Sequence, residues 1–158
     1  MTERSYWLGF SNYSGIVTGK FAKLLAEFGT AESAWKADVD LLTPIVGKTF
    51  IPRFEEFRQR FSIADYENLL KEKKVGYLTL IDKDYPKLLK EIKKPPFVLY
   101  YKGNKDLFYS SSEQSESRSS RQARTIYSTI AIVGTRRITD YGKQVTEKLT
   151  GDFVNNGF

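Results

Sequence analysis

The stretch Ile130-Ala131-Ile132-Val133-Gly134-Thr135-Arg136-Arg137-Ile138-Thr139-Asp140-Tyr141-Gly142 constrains the fold more than any other part of the chain. It opens with four consecutive apolar residues, which suits a strand buried on both faces. A turn of small residues with two arginines follows. Thr139 or Asp140 then stands where a helix N-cap belongs, because a short side-chain oxygen accepts from the free amides of the first turn. Beyond it Val145, Leu149 and Phe153 recur at i, i+4 and i+8, a packing face against a sheet. Asn155-Asn156-Gly157 is a helix stop, and Phe158 would start the next strand. A strand and a helix alone cannot cover their own faces, so the unit calls for further parallel strands. The expectation is therefore that these 158 residues are a fragment of a longer protein or a truncated reading frame.

The same stretch is a natural anion site. Backbone N–H groups and the positive end of the helix dipole converge after the turn. Arg136 adds a guanidinium that grips phosphate at two points. The expected phosphate is that of a nucleic acid. Arg137 has a plainer alternative as a solvated neighbour.

Composition narrows the chemistry. There is no cysteine, hence no disulfide and no thiolate metal site, and no histidine, which removes the usual general base and the commonest zinc ligand. No metal site and no cofactor is expected. No apolar run approaches the roughly 20 residues that span a bilayer, and no signal-peptide core follows Met1-Thr2-Glu3-Arg4-Ser5, so no membrane partner is expected. The net charge of +6 favours a polyanionic partner.

Residues 5 to about 70 read as short helices. Tyr6, Trp7, Leu8 and Phe10 begin an apolar stripe, and Phe21, Leu24, Leu25 and Phe28 occupy one helical face. Gly29 and Gly47 are helix stops, Thr30 is a cap, and a helix from Pro52 breaks near Ser62. Ser14-Gly15-Ile16-Val17-Thr18-Gly19-Lys20 interrupts the apolar pattern and suggests a helix-hairpin-helix, whose glycines let a DNA phosphate approach backbone amides. Gly15, Gly19 and Lys20 are the candidate contacts there, although Val17 stands where the usual turn has its second glycine. The alternative is a helical packing domain with no ligand.

From residue 73 the pattern changes to β/α alternation. Val75, Tyr77, Leu78, Leu80 and Ile81 suit one strand and Phe97 to Tyr101 another. Between them lies a turn at residues 82–86 and a short helix carrying Leu88, Leu89 and Ile92, stopped by Pro95 and Pro96. Residues 109–124 are low complexity and rich in serine, read as a solvated insertion that lengthens one loop. The fold expected is thus α/β: a helical domain over 1–72, then the beginning of an incomplete Rossmann-like parallel sheet over 73–158.

These residues resemble a known family. Ile81-Asp82-Lys83-Asp84-Tyr85-Pro86 with Leu88-Leu89, then Pro95-Pro96-Phe97-Val98-Leu99-Tyr100-Tyr101-Lys102-Gly103, resembles the entry to the Rossmann-like domain of the DprA/Smf DNA-processing family. Val133-Gly134-Thr135-Arg136 with Tyr141-Gly142 resembles that family's opening turn, and the helical part its sterile-alpha-motif-like or helix-hairpin-helix-like domain. The resemblance implies a cytoplasmic bacterial protein that binds single-stranded DNA during natural transformation, hands it to RecA and acts as a homodimer without a catalytic reaction. It maps the pocket arginine to Arg136, with Gly134 and Thr135 supplying the tight turn and backbone donors. Gly134, Thr135, Arg136, Arg137 and Thr139 are accordingly the candidate nucleic-acid-binding residues.

Two other readings stand beside this one. A nucleotide-phosphate hydrolase of the lysine-decarboxylase-like Rossmann class also opens with a strand and a small-residue turn. A non-functional truncated remnant would fold in its helical part alone. A dinucleotide-dependent oxidoreductase is disfavoured, since the turn lacks G-x-G-x-x-G and Arg136 fills the space of a close-approach glycine.

Overall fold

The computed structural model describes residues 1–105, 130–135 and 137–157. The chain divides into two compact units, Met1–Phe108 and Tyr109–Phe158.

The first unit is built around α1 (Glu3–Ser11), in which every residue from Ser5 to Phe10 is buried. Thr2 and Ser5 form a reciprocal capping box at its start, satisfying amides that have no intrahelical acceptor. The expected apolar stripe is therefore more than a stripe: the helix is enclosed on all sides. Gly9 makes this possible, because a Cβ there would stand 2.9 Å from Ile63 Cδ1 and 3.0 Å from the Trp35 ring.

Around it run α2 (Thr18–Phe28), α3 (Ala31–Lys36), α4 (Val39–Val46), α5 (Ile51–Arg60) and α6 (Ile63–Glu72). Their boundaries follow local chemistry. Gly29 and Gly47 close α2 and α4 at φ 76° and 100°, conformations that cost glycine little. The Thr30 and Ser62 hydroxyls accept from the amides of Ser33 and Asp65 and start α3 and α6. The core between the helices is aromatic: Phe10 lies 5.3 Å from Phe21, 5.0 Å from Trp35 and 5.7 Å from Phe54, centroid to centroid.

An internal carboxylate ties α1 to α3. Glu3 Oε1 accepts from Ala31 N at 2.6 Å and Trp7 Nε1 at 3.0 Å, and Glu3 Oε2 accepts from Glu32 N at 3.1 Å. An anion thus sits on the first amides of α3, where the helix dipole favours it.

The strands β1 (Gly76–Thr79) and β2 (Val98–Tyr101) pair antiparallel, Gly76 opposite Tyr101 and Thr79 opposite Val98. The parallel sheet expected from residue 73 onward is not present among the described residues. β1 stops before Leu80 and Ile81 because Asp82 turns the chain: its Oδ2 accepts from Thr79 N at 2.7 Å and Thr79 Oγ1 at 3.1 Å. The connecting helix α7 is a single turn, Lys87–Lys90, with Leu88 exposed and Ile92 beyond its end. Phe97 stacks on Phe21 at 4.3 Å, and Arg4 Nη2 donates to Tyr77 O at 2.9 Å, so the hairpin is held to the helices at both of its ends. The Tyr77 hydroxyl, which donates to Glu67 Oε1 at 2.9 Å, is pushed up to about 12, first by burial and then by that carboxylate.

The second unit contributes α8 (Asp140–Asn155), preceded by Ile130–Thr135. The expected strand at Ile130 to Val133 has no ladder partner among the described residues, and Val133 is 91% exposed. Val145 and Phe153 are half-buried and Leu149 is exposed, so the packing face of α8 is only partly covered. The serine-rich insertion at 109–124 and Phe158 lie outside the described residues.

Candidate nucleic-acid interface

Two sets of candidate residues were expected, and they fall one in each unit. In the second unit Gly134 and Thr135 are exposed, and a Cβ built on Gly134 meets nothing within 4 Å. The space in front of the turn is therefore open to a ligand backbone. Arg137 N donates to Thr135 Oγ1 at 3.3 Å, which curls the chain after the turn. Arg136 lies outside the described residues.

Thr139 is the N-cap of α8, with extended backbone at φ −86° and ψ 159°, and its Oγ1 accepts from Gly142 N at 3.1 Å. Of the two residues expected for this role, Thr139 holds it and Asp140 opens the first turn. A Cβ at Gly142 would lie 3.2 Å from that hydroxyl oxygen, so glycine gives the cap room. The cap satisfies one amide and leaves those of Asp140 and Tyr141 without an intrahelical acceptor. The Tyr141 ring beside them is 76% exposed. Asp140 places a carboxylate in the same first turn, which stabilises the helix and works against a bound anion.

In the first unit Gly15 lies in the α1–α2 turn, and Gly19 and Lys20 belong to the first turn of α2, closer to the helix than the hairpin pattern suggested. A Cβ on Gly15 would fall 2.4 Å from the Tyr13 ring, whereas one on Gly19 meets nothing within 4 Å. Gly15 is thus required by packing and Gly19 is not. Lys20 Nζ donates to Val46 O at 3.0 Å and sits 4.1 Å over the Phe50 ring, stabilising the carbonyl end of α4. Val17 offers α2 no side-chain cap, while Thr18 Oγ1 donates to Pro95 O at 3.0 Å.

A cleft of about 330 Å³ beside the hairpin is lined by Arg4, Tyr77, Asp82, Lys83, Asp84 and Lys105 among others. Its charges are largely matched internally: Arg4 Nε lies 3.0 Å from Asp82 Oδ1 and Lys105 Nζ 3.0 Å from Asp84 Oδ2. Among the described residues no group of acidic side chains is placed to hold a metal ion, and no helix is long and apolar enough to cross a membrane.

Residues 76–115 match the family model described as DNA recombination-mediator protein A. Protein Smf of Synechocystis sp. is 31% identical over 159 aligned residues, covering 99% of this chain. The chain belongs to the DprA/Smf family. Within the family, DNA processing protein DprA of Bacillus subtilis is 29% identical over 133 residues, 78% of this chain. The DprA/Smf relatives are much longer: this chain spans 37% of the first and 39% of the second. No solved structure matches the chain significantly. The family-model match begins at β1, crosses α7 and β2, and continues into residues outside those described.

Proposed function

We propose that this DprA/Smf chain takes part in a single-stranded DNA-binding recombination mediator, which passes the strand to RecA during natural transformation, acts in the cytoplasm as a homodimer and carries out no catalytic step of its own. In this reading residues 1–72 are a helical domain and residues 73–158 the N-terminal part of a Rossmann-like one. The observation that carries the proposal is the alignment of nearly the whole chain with protein Smf, which includes the Val133-Gly134-Thr135-Arg136 turn.

The chemistry assigned to that turn is phosphate binding. Gly134 leaves open approach and Arg136 supplies the paired donors of a guanidinium. Thr135 and Thr139 shape the backbone on either side, Arg137 adds positive charge, and the exposed Tyr141 offers a ring on which a base stacks. At the α1–α2 turn the ammonium of Lys20 already serves the Val46 carbonyl. A phosphate contact there goes through the amides near Gly19, with Gly15 holding the turn closed under Tyr13.

Arg136→Ala tests the proposal. One charge-assisted phosphate contact is worth roughly 1–3 kcal/mol. The substitution is expected to weaken binding of labelled oligo-dT by about one to two orders of magnitude in a fluorescence anisotropy titration, and to do so equally for other single-stranded sequences. Unchanged affinity would remove Arg136 from the site.

A further inference from the structure

Residues 83–94 of the β1–β2 connection carry five lysines, Lys83, Lys87, Lys90, Lys93 and Lys94, against two acids, Asp84 and Glu91. All five lysines are exposed. Asp84 is engaged by Lys105 at 3.0 Å. The side-chain ammonium groups of Lys83, Lys90, Lys93 and Lys94 have no hydrogen-bond or ion-pair partner among the described residues. Leu88 and Ile92 stand among them, 82% and 48% exposed.

This segment is no loose loop. Asp82 fixes its start through Thr79, and the buried Tyr85 hydroxyl donates to Pro96 O at 2.7 Å across its base. Thr18 Oγ1 holds Pro95 O at 3.0 Å, so the chain just after Lys93 and Lys94 is fastened to the start of α2. Several like charges held on a pinned platform repel one another, and a polyanion relieves that repulsion.

We propose that residues 83–94 form a tracking surface for the phosphate backbone of single-stranded nucleic acid, with Leu88 and Ile92 lying against unstacked bases. The proposal rests on the DNA-binding reading above and adds a second contact surface, in the first unit, to the arginine turn. Charge complementarity selects a polyanion. A membrane surface suits it less well, because α7 is a single turn with too short an apolar face to lie in an interface. Exposed apolar side chains favour a single strand, whose base faces are open, over a duplex, whose base faces are stacked.

The test is the triple variant Lys90→Gln/Lys93→Gln/Lys94→Gln in the full chain, titrated with labelled oligo-dT across a salt series and compared with the wild type and with Arg136→Ala. Each lost phosphate contact makes the slope of log K against log salt shallower by about 0.7 on a single strand, so three give about 2. That corresponds to a loss on the order of a hundredfold at 0.1 M salt if both proteins bind equally at 1 M. Arg136→Ala is expected to keep most of the lysine-dependent slope. A triple variant with wild-type slope, while wild type binds and Arg136→Ala weakens, overturns the lysine surface and leaves the arginine turn standing. Failure of the wild type to bind oligo-dT at any salt overturns both. Binding to phosphatidylglycerol vesicles that is lost in the triple variant, with oligo-dT binding unaffected, overturns the assignment to nucleic acid. The three lysines are exposed, and an unchanged circular dichroism melt confirms that any loss is not one of folding.

Discussion

α1 and α8 both carry apolar residues and meet opposite fates. α1, nine residues long, buries all of Ser5 to Phe10, whereas α8, with sixteen, buries none. The difference is in the neighbours, not the helices. α1 is surrounded by α3, α6 and β2, and its rings meet Phe21, Trp35 and Phe54 edge-on or stacked. Stability in this molecule is therefore concentrated in the first unit. The turn ahead of α8 exposes its glycine, its cap and a tyrosine, which suits residues that meet a ligand.

The contrast is largest for paired truncations. Phe54 is wholly buried, with ring contacts to Phe10, Tyr13 and Trp35. Phe54→Ala is expected to cost about 3–5 kcal/mol through lost burial and the cavity left behind. Leu149 is 45% exposed, and Leu149→Ala is expected to change stability by no more than about 0.5 kcal/mol. Urea unfolding followed by tryptophan fluorescence and circular dichroism measures both. Equal costs at the two positions would abolish the contrast between the units.

A smaller effect separates electrostatic from apolar stabilisation within the first unit. Glu3→Ala removes the acceptor for Ala31 N, Glu32 N and Trp7 Nε1. The expected loss is about 1–3 kcal/mol, since the charged acceptor goes and buried donors are left unmet. The Trp7 indole signal, observed by NMR during the same unfolding experiment, reports whether its N–H has lost this partner. A stability equal to wild type would mean that water replaces the carboxylate fully, and that α3 is held by packing alone.

Local chemistry was legible in the sequence, and long-range chemistry was not. Gly29, Gly47, Thr30, Ser62 and Thr139 act on amides and carbonyls within four residues, so their types at their positions announced the helix ends. The role of Glu3 carries no local signal, because the amides it meets are 28 and 29 residues away. Gly9 likewise has no local reason within α1, and the approach of Trp35 and Ile63 explains it. The apolar run Ile130 to Val133 announces a segment that gains by burial, but strand pairing and direction depend on partners elsewhere in the chain. The antiparallel pairing of β1 and β2 was hidden for the same reason. The cap at Thr139 agrees with the helix start read from residue types, since cap and amide are three residues apart. The commitment of Lys20 to the Val46 carbonyl could not be seen in spacing, since 26 residues separate donor and acceptor.

The smallest effect probes the junction of turn and helix directly. Thr139→Ala removes the oxygen that accepts from Gly142 N at 3.1 Å. Loss of a threonine cap costs about 1 kcal/mol. α8 has no buried residue to compensate, so the cost should fall on the helix itself. Hydrogen exchange at the amides of Asp140–Asn155 is expected to accelerate about fivefold, the factor that 1 kcal/mol corresponds to. Thr139→Ser, which restores the oxygen without the methyl group, should recover most of the protection. Exchange that stays at the wild-type rate in Thr139→Ala would show that the helix start is held by something other than its cap.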